Sequence, residues 1–382
     1  MRYLVYGYYG FGNFGDDLML AAIAAAIRAR DPGADILVKC RDPVPGLGPN
    51  VRFLEADRIM EQKRSALARA SAYLRRLAGA VKDRDWLVIG GGALFLDKGR
   101  LNRSLVLMWL LVLRARLAGV RIALIGVSCD LLADPVSVWI TRRIFRAAEF
   151  IAVRDAFSHD YARYFGRGDA VLCADLGFAA PGLSFAPSPV AARGRPVIAV
   201  CLVDYFASVE YASTFEPDPA RRADFLRAFV AVLDRHAGGA DFVYVALQER
   251  IGLGDDALYA ELGGSARFKA YRALTSLDSL QALMAEADGV CSMRYHLALL
   301  AAAAGLPVTV LYHELKLAAV GLMPGVDVCT LAEIVAGECD PIAPLLRPRT
   351  PPAPRTDRLA AQAAAAFAWI GPLIPTALRV DP

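Results

Sequence analysis

Arg294 and His296 open an Ala/Leu-rich run of helical pattern that stops at Gly305, Leu306 and Pro307. At a helix start the free N–H groups and the dipole already favour an anion. These side chains add a planar cation and a proton carrier that works near neutral pH. The turns that follow are purely apolar and need no polar beginning, so the pair reads as a site for an anionic substrate. Lys316, beyond the next apolar run, brings one more cation, with a solvated strand-end lysine as the ordinary alternative. Arg154, with Asp155 and Ser158 after it, could clamp a carboxylate or phosphate, or could equally partner a neighbouring acid. Gln248, Glu249, Asp255 and Asp256 follow another strand-like run and could hydrogen-bond sugar hydroxyls.

A second set lies at the other end of the chain. Glycines 7, 10, 12 and 15 fill a loop between an apolar strand at residues 3–6 and a helix-patterned run at 18–30. Such a loop lets backbone N–H groups point at an anion. Gly10, Gly12, Asn13 and Gly15 are therefore expected to bind substrate, with Asp16 and Asp17 directly after them. Neither nucleotide motif fits. Asp35 begins the second strand rather than ending it, which places it poorly for a ribose, and no Gly-Lys-Ser/Thr is present. Gly90, Gly91 and Gly92 end a further apolar run, where bare backbone approaches a ligand or lets two segments cross.

These residues need elements to position them. Short apolar runs at 86–89, 121–125 and 150–153 alternate with helical stretches at 101–118 and 136–147. Such alternation is that of parallel β/α units. It pauses in a Pro- and Gly-rich stretch and restarts with apolar runs at 196–203, 241–247, 288–291 and 307–311. The expected organisation is an α/β domain over 1–179, a linker over 180–196, and a second α/β domain over 197–340. A Pro-rich stretch with a helix over 341–382 would then pack back on the first domain. Two Rossmann-like domains of this kind would face each other across a cleft.

Composition narrows the classes. The 382 residues are 56% hydrophobic with a net charge of +4, and basic and aromatic residues do not interleave, so a nucleic-acid partner gains no support. The seven cysteines are scattered without ligand spacing and read as buried thiols in a reducing compartment, with no metal site. The longest lipid-like run, 105–113, is about half the roughly 20 residues of a spanning helix. With no signal-peptide pattern, a cytoplasmic protein is expected. Between 58 and 84 an apolar stripe of Leu67, Ala70, Leu74, Leu77 and Val81 runs beside basic residues. That pattern suits peripheral contact with the inner face of a membrane, or a core-facing stripe with a solvated basic side.

Taken in order, several motifs resemble the polysaccharide pyruvyl transferase family. They are Gly10, Phe11, Gly12, Asn13, Phe14, Gly15, Asp16 and Asp17; Gly90, Gly91 and Gly92 with Asp97; and Val153, Arg154 and Asp155 with Ser158. Asp175, Leu176, Gly177 and Phe178 follow, then Met293, Arg294, Tyr295 and His296, then Gly305, Leu306 and Pro307 running on to Lys316. The resemblance implies a GT-B-like fold and transfer of the enolpyruvyl unit of phosphoenolpyruvate to a sugar. The product would be a pyruvate ketal on a cell-surface polysaccharide or its lipid-linked precursor, with no further cofactor. It marks His296, Arg294, Lys316, Arg154 and the two glycine loops, including Gly91 and Gly92, as site residues. Its chemistry would give His296 a proton-transfer or phosphate-side role and Asp16 or Asp17 that of a carboxylate on a sugar hydroxyl. Two departures stand out. His313, Glu314 and Leu315 precede Lys316 where the family commonly reads Tyr-Asp-Pro, and Asp16-Asp17 replaces Asp-Glu. A nucleotide-sugar glycosyltransferase of the same fold would resemble its class in two glutamates ahead of a Gly-x-Pro. Leu300 and Ser292 occupy those places. A sugar-binding protein without catalysis is the remaining alternative.

Overall fold

The computed structural model describes residues 1–63, 65–97, 102–185, 194–207, 218–248, 255–347 and 353–371. The chain divides into two compact units. One holds Met1–Phe11, Asp16–Pro181 and the described residues from Asp357 onward; the other holds Gly12–Gly15 and Gly182–Thr356. Part of the expected linker, 186–193, lies outside the described residues.

In the first unit β1 (Arg2–Tyr6) leads to α1 (Phe14–Arg30), β2 (Asp35–Lys39) and β3 (Val51–Leu54). Then come α2 (Ala66–Val81), β4 (Trp86–Phe95), α3 (Arg103–Leu117), β5 (Arg121–Cys129), α4 (Pro135–Ala147), β6 (Phe150–Val153), α5 (Ala156–Tyr164) and β7 (Val171–Leu172). The strands form one sheet in the order β3-β2-β1-β4-β5-β6-β7, and every pairing is parallel. Leu4 is in register with both Leu37 and Leu87 on one face, and the successive residues Tyr3, Leu4, Val5 and Tyr6 are all buried, so the central strand is covered on both faces. Strand order reverses between β1 and β4, the place where open α/β sheets bind ligands at their carboxyl ends.

The helices of this layer start on their own caps. Asn102 accepts from the Ser104 N–H ahead of α3, and Asp134 accepts from the Ser137 N–H with Pro135 in the first turn of α4. Leu77 and Val81 of α2 enter the core with Met108 and Leu111 of α3 and Ile144 of α4. The stripe considered for membrane contact between 58 and 84 faces the core only at its carboxyl end: Leu77 and Val81 are buried, Ala70 and Leu74 half-buried and Leu67 exposed.

In the second unit β8 (Val197–Cys201), α6 (Pro219–His236), β9 (Asp241–Ala246), α7 (Asp255–Glu261), β10 (Phe268–Ala273) and α8 (Leu277–Glu286) precede β11 (Gly289–Ser292). α9 (Tyr295–Ala303), β12 (Val308–Tyr312), α10 (Lys316–Gly321), β13 (Val326–Thr330) and α11 (Leu331–Ala336) complete it. The sheet order is β10-β9-β8-β11-β12-β13, again parallel, with its reversal between β8 and β11. Cys329 on β13 and Cys339 form a disulfide with Cα atoms 6.1 Å apart, which corrects the reading of all seven cysteines as thiols. The turn through α11 brings the two together across ten positions of sequence. The other five are buried and free.

The final helix, α12 (Thr356–Ala364), runs into a 3-10 turn at Ala365–Ile370. From there Phe367 is buried in the first unit under the Arg30 guanidinium, and Trp369 packs 4.4 Å from Trp86.

Candidate active site

In the first unit the glycine loop is braced from within. The Asp17 carboxylate accepts from the Gly10 N–H at 2.8 Å. Gly10 has φ +71°, and a Cβ there would run into the backbone of Asp42, so only glycine fits this crossing. Burial raises the Asp17 carboxyl to about 6, against the opposing pull of that N–H. Tyr9, fully buried, donates to the Gly90 carbonyl, and its phenol is pushed well up by burial and by Asp16 and Asp17.

Gly90, Gly91 and Gly92 do not end their strand. β4 runs on through them to Phe95, with Gly90 opposite Ile125 and Gly92 opposite Val127. Gly91 and Gly92 have φ of +67° and +86°, which glycine adopts without cost, and a Cβ at Gly92 would lie 3.1 Å from the Asp16 carboxylate. Asp16 is itself buried. Beyond the strand Asp97 accepts from the N–H groups of Ala133 and Asp134, tying β4 to the start of α4.

Arg154 proves to be the partner of an acid. Its Nη1 lies 2.9 Å from Asp175, and its Nε and Nη2 both donate to the Ser128 hydroxyl, with the arginine and aspartate side chains almost wholly buried. The expected anion clamp is therefore corrected to a buried brace between β5, β6 and the 3-10 turn that Asp175 caps.

Residues 12–15 group with the second unit. Asn13 bridges to Gln248, the Phe14 N–H donates to the Leu247 carbonyl, and the Asn13 side chain accepts from the Gly15 N–H. The N–H groups of Gly10 and Gly15 thus serve Asp17 and Asn13, not the anion expected of them. Gly15 lies against the His296 imidazole, where a Cβ would collide with the ring.

His296 is buried in the first turn of α9, edge-on to Tyr295, and Arg294 is the residue that precedes the helix. The Ser292 hydroxyl holds this entry, accepting from the Arg294 N–H and donating to its carbonyl. The guanidinium is fixed by Asp255, whose carboxylate takes its Nε and Nη2, the latter at 2.6 Å. Asp255 also accepts from the N–H groups of Leu247 and Gln248, so one buried carboxylate ties the end of β9 to the start of α9. Spacing suggested only a hydroxyl contact for Asp255. Its companion Glu249 lies outside the described residues.

Lys316 opens α10 and pairs with Glu314 at 2.9 Å. Burial alone would raise the Glu314 carboxyl, but Lys316, His313 and Arg294 hold it below the usual range. The His313 side chain is buried, its Nδ1 donates to the Leu311 carbonyl, and it packs 5.0 Å from the Tyr205 ring. Burial lowers its imidazole pKa, keeping the ring neutral at neutral pH. Glu314 and Tyr205 were not singled out as site residues in the sequence. The signal available was Glu314 standing where the related motif carries an aspartate.

Arg294, His296, His313, Glu314 and Lys316 therefore stand at the carboxyl ends of β11 and β12, next to the strand reversal of the second sheet. Arg294 and Lys316 each arrive with a carboxylate partner, which orients the cation for a directed contact.

Comparison with known proteins bears on fold and on family separately. Solved structures of similar fold include a protein described as a UDP-N-acetylglucosamine 2-epimerase from Listeria monocytogenes (TM-score 0.60, 10% identity, 96% of this chain and 93% of that one). A UDP-N-acetylglucosamine 2-epimerase from Rickettsia bellii gives a TM-score of 0.59 at 11% identity over 97% and 95% of the two chains. That from Methanocaldococcus jannaschii, in complex with UDP-GlcNAc and UDP, gives 0.58 at 8% over 97% and 100%. At such identities the likeness establishes the fold alone: two parallel-sheet α/β domains of GT-B type. No curated protein matches the chain in sequence. The family profile described as polysaccharide pyruvyl transferase matches residues 13–314, a span that carries the Asn13 loop, the glycines of β4, the Arg294–His296 helix start and Glu314. The chain belongs to the polysaccharide pyruvyl transferase family and is a transferase.

Proposed function

We propose that this transferase moves the enolpyruvyl unit of phosphoenolpyruvate to a saccharide and closes it into a pyruvate ketal. The acceptor is a cell-surface polysaccharide or its lipid-linked precursor. The observation that carries this reading is the helix start of α9, where Arg294 and His296 meet the dipole end of the helix within reach of the Lys316–Glu314 pair. Phosphoenolpyruvate carries a carboxylate and a phosphate, so it calls for oriented cations and N–H donors. The absence of glutamates at 292 and 300 argues against a nucleoside-sugar donor.

The chemistry needs a proton delivered to the methylene carbon of the donor, which leaves C2 oxocarbenium-like. A saccharide hydroxyl attacks C2 and gives up its proton, phosphate departs with the C2–O bond pair, and a second hydroxyl of the same saccharide closes on C2, its proton passing to the released phosphate. Arg294, oriented by Asp255, and Lys316, oriented by Glu314, bind and charge-balance the donor. His296 carries the proton, buried where water does not compete. Asp16, facing Gly92, and Asp17, whose carboxyl holds its proton to about pH 6, are the carboxyl groups for the saccharide hydroxyls. Incubation with phosphoenolpyruvate and a panel of lipid-linked and free saccharides tests the reading. Release of inorganic phosphate with a carboxyethylidene group on the acceptor is expected. Phosphate release without modified saccharide, or sugar transfer from a nucleotide sugar, would overturn it.

A further inference from the structure

α3 is apolar on both of its faces. Leu105, Met108, Leu111, Val112 and Ala115 enter the core, as an amphipathic surface helix requires. The opposite stripe should then be polar, yet Leu110, Leu113 and Leu117 stand there at helical spacing, with Leu117 83% exposed. The stripe continues on α4. Trp139 is 49% exposed, meets Trp109 of α3 edge-to-face at 6.2 Å, and lies under the Arg143 guanidinium.

The charged side chains of the three helices themselves have one sign, and the nearest acids have other partners: Glu149 pairs with Arg121 and Asp134 caps α4. α2, α3 and α4 together carry nine arginines, at 69, 75, 76, 103, 114, 116, 142, 143 and 146, and no Asp or Glu. Among the described residues none of the nine enters an ion pair; the arginines that do are elsewhere. At the carboxyl ends of α3 and α4 a groove of about 370 Å³ opens between Arg116 and Arg146, with Glu149 on its wall already paired to Arg121.

We propose that this face of α3 and α4, with the arginines of α2 beside it, seats the protein on an anionic lipid bilayer. Exposed leucine and tryptophan enter the boundary of headgroup and acyl chain, while the arginines meet the lipid phosphates. No described helix is long and apolar enough to cross a membrane, so the contact is peripheral. A second copy of the chain is the poorer occupant, because a two-fold pairing of this face would set the arginines of α3 and α4 against arginines, and neither helix carries an acid to answer them. The inference stands on this face alone and is independent of the donor assigned above.

Co-sedimentation of the full chain with vesicles tests it. Vesicles of phosphatidylcholine with about 30% phosphatidylglycerol are expected to bind the protein at least about tenfold better than phosphatidylcholine alone. The pair Leu110→Gln and Trp139→Gln removes the apolar wedge and should abolish binding. Arg142→Glu with Arg143→Glu should weaken it by more than about fivefold for each arginine. These side chains are exposed, so melting should stay near that of the parent. Arg227→Glu on α6, in the second unit, serves as the surface control and should bind like the parent. The proposal fails if the parent shows no preference for anionic vesicles, or if both α3/α4 variants bind as it does. It also fails if the parent is a dimer that the Leu110→Gln, Trp139→Gln pair converts to a monomer.

Discussion

Gly15 and the imidazole of His296 share a space too small for one more carbon. Gly15 lies outside the left-handed backbone region, so alanine there is strained by the ring it meets and not by its own φ and ψ. The loop that opens the chain thereby sets where the histidine of α9 sits. Gly15→Ala is expected to lower kcat as His296→Ala does, by about 10²- to 10⁴-fold, the range for a displaced proton carrier. Steady-state kinetics beside a melting curve checks this; full turnover in Gly15→Ala would show that the contact does not position the ring.

Arg294 and Asp255 form the counterpart on the donor side. Arg294→Ala should raise the donor KM more than it lowers kcat, because a contact already present in the ground state is lost. Asp255→Ala leaves the guanidinium without its carboxylate and is expected to cost about 3–5 kcal/mol in urea denaturation. Unchanged stability in Asp255→Ala would mean that the pair does not anchor the start of α9.

For Arg154 the buried pair with Asp175 makes a different expectation. Arg154→Ala should lose about 3–5 kcal/mol of stability, and Arg154→Lys should recover little, since an ammonium cannot reproduce the fork that holds both Asp175 and Ser128. A variant that melts with the parent but no longer binds donor would return Arg154 to the substrate.

Asp17 links stability to pH. Its carboxyl titrates near 6 in the folded chain against an ordinary value of 3.8, so the folded state binds the extra proton between those values. The stabilisation is whole below about pH 4 and is lost as pH rises through about 6, a swing of about 3 kcal/mol. Asp17→Asn keeps an acceptor for the Gly10 N–H and removes the titration. Unfolding free energies measured from acid to neutral pH should therefore fall more steeply in the parent than in this variant; parallel curves would contradict the shift.

The central strands were legible in the sequence because parallel strands covered on both faces are continuous apolar runs, as in residues 86–89 and 197–201. The edge strands β3, β7 and β10 were not. Val51–Leu54 is buried only at its two ends, Phe268–Ala273 only at Phe268, and Val171–Leu172 is two residues long, so none makes a continuous buried run. Glycine punctuation misled at β4, since a turn signal cannot be told from three glycines that stay in the ladder with positive φ. At the site, Arg294 and His296 were visible because a polar start to an otherwise apolar helix has no packing reason. The acidic partner of Arg294 was hidden, because its pairing with Asp255 spans 39 positions that only the sheet order brings together. The same holds for Arg154 and Asp175, twenty-one positions apart.

Whether the site accepts phosphoenolpyruvate is read most directly from ligand-dependent melting of the unmodified protein. At about 100 times its dissociation constant phosphoenolpyruvate should stabilise the fold by about 2.7 kcal/mol. The same titration should be without effect in Arg294→Ala, and UDP-N-acetylglucosamine should not shift the parent. A shift with the nucleotide sugar and none with phosphoenolpyruvate would contradict the assignment.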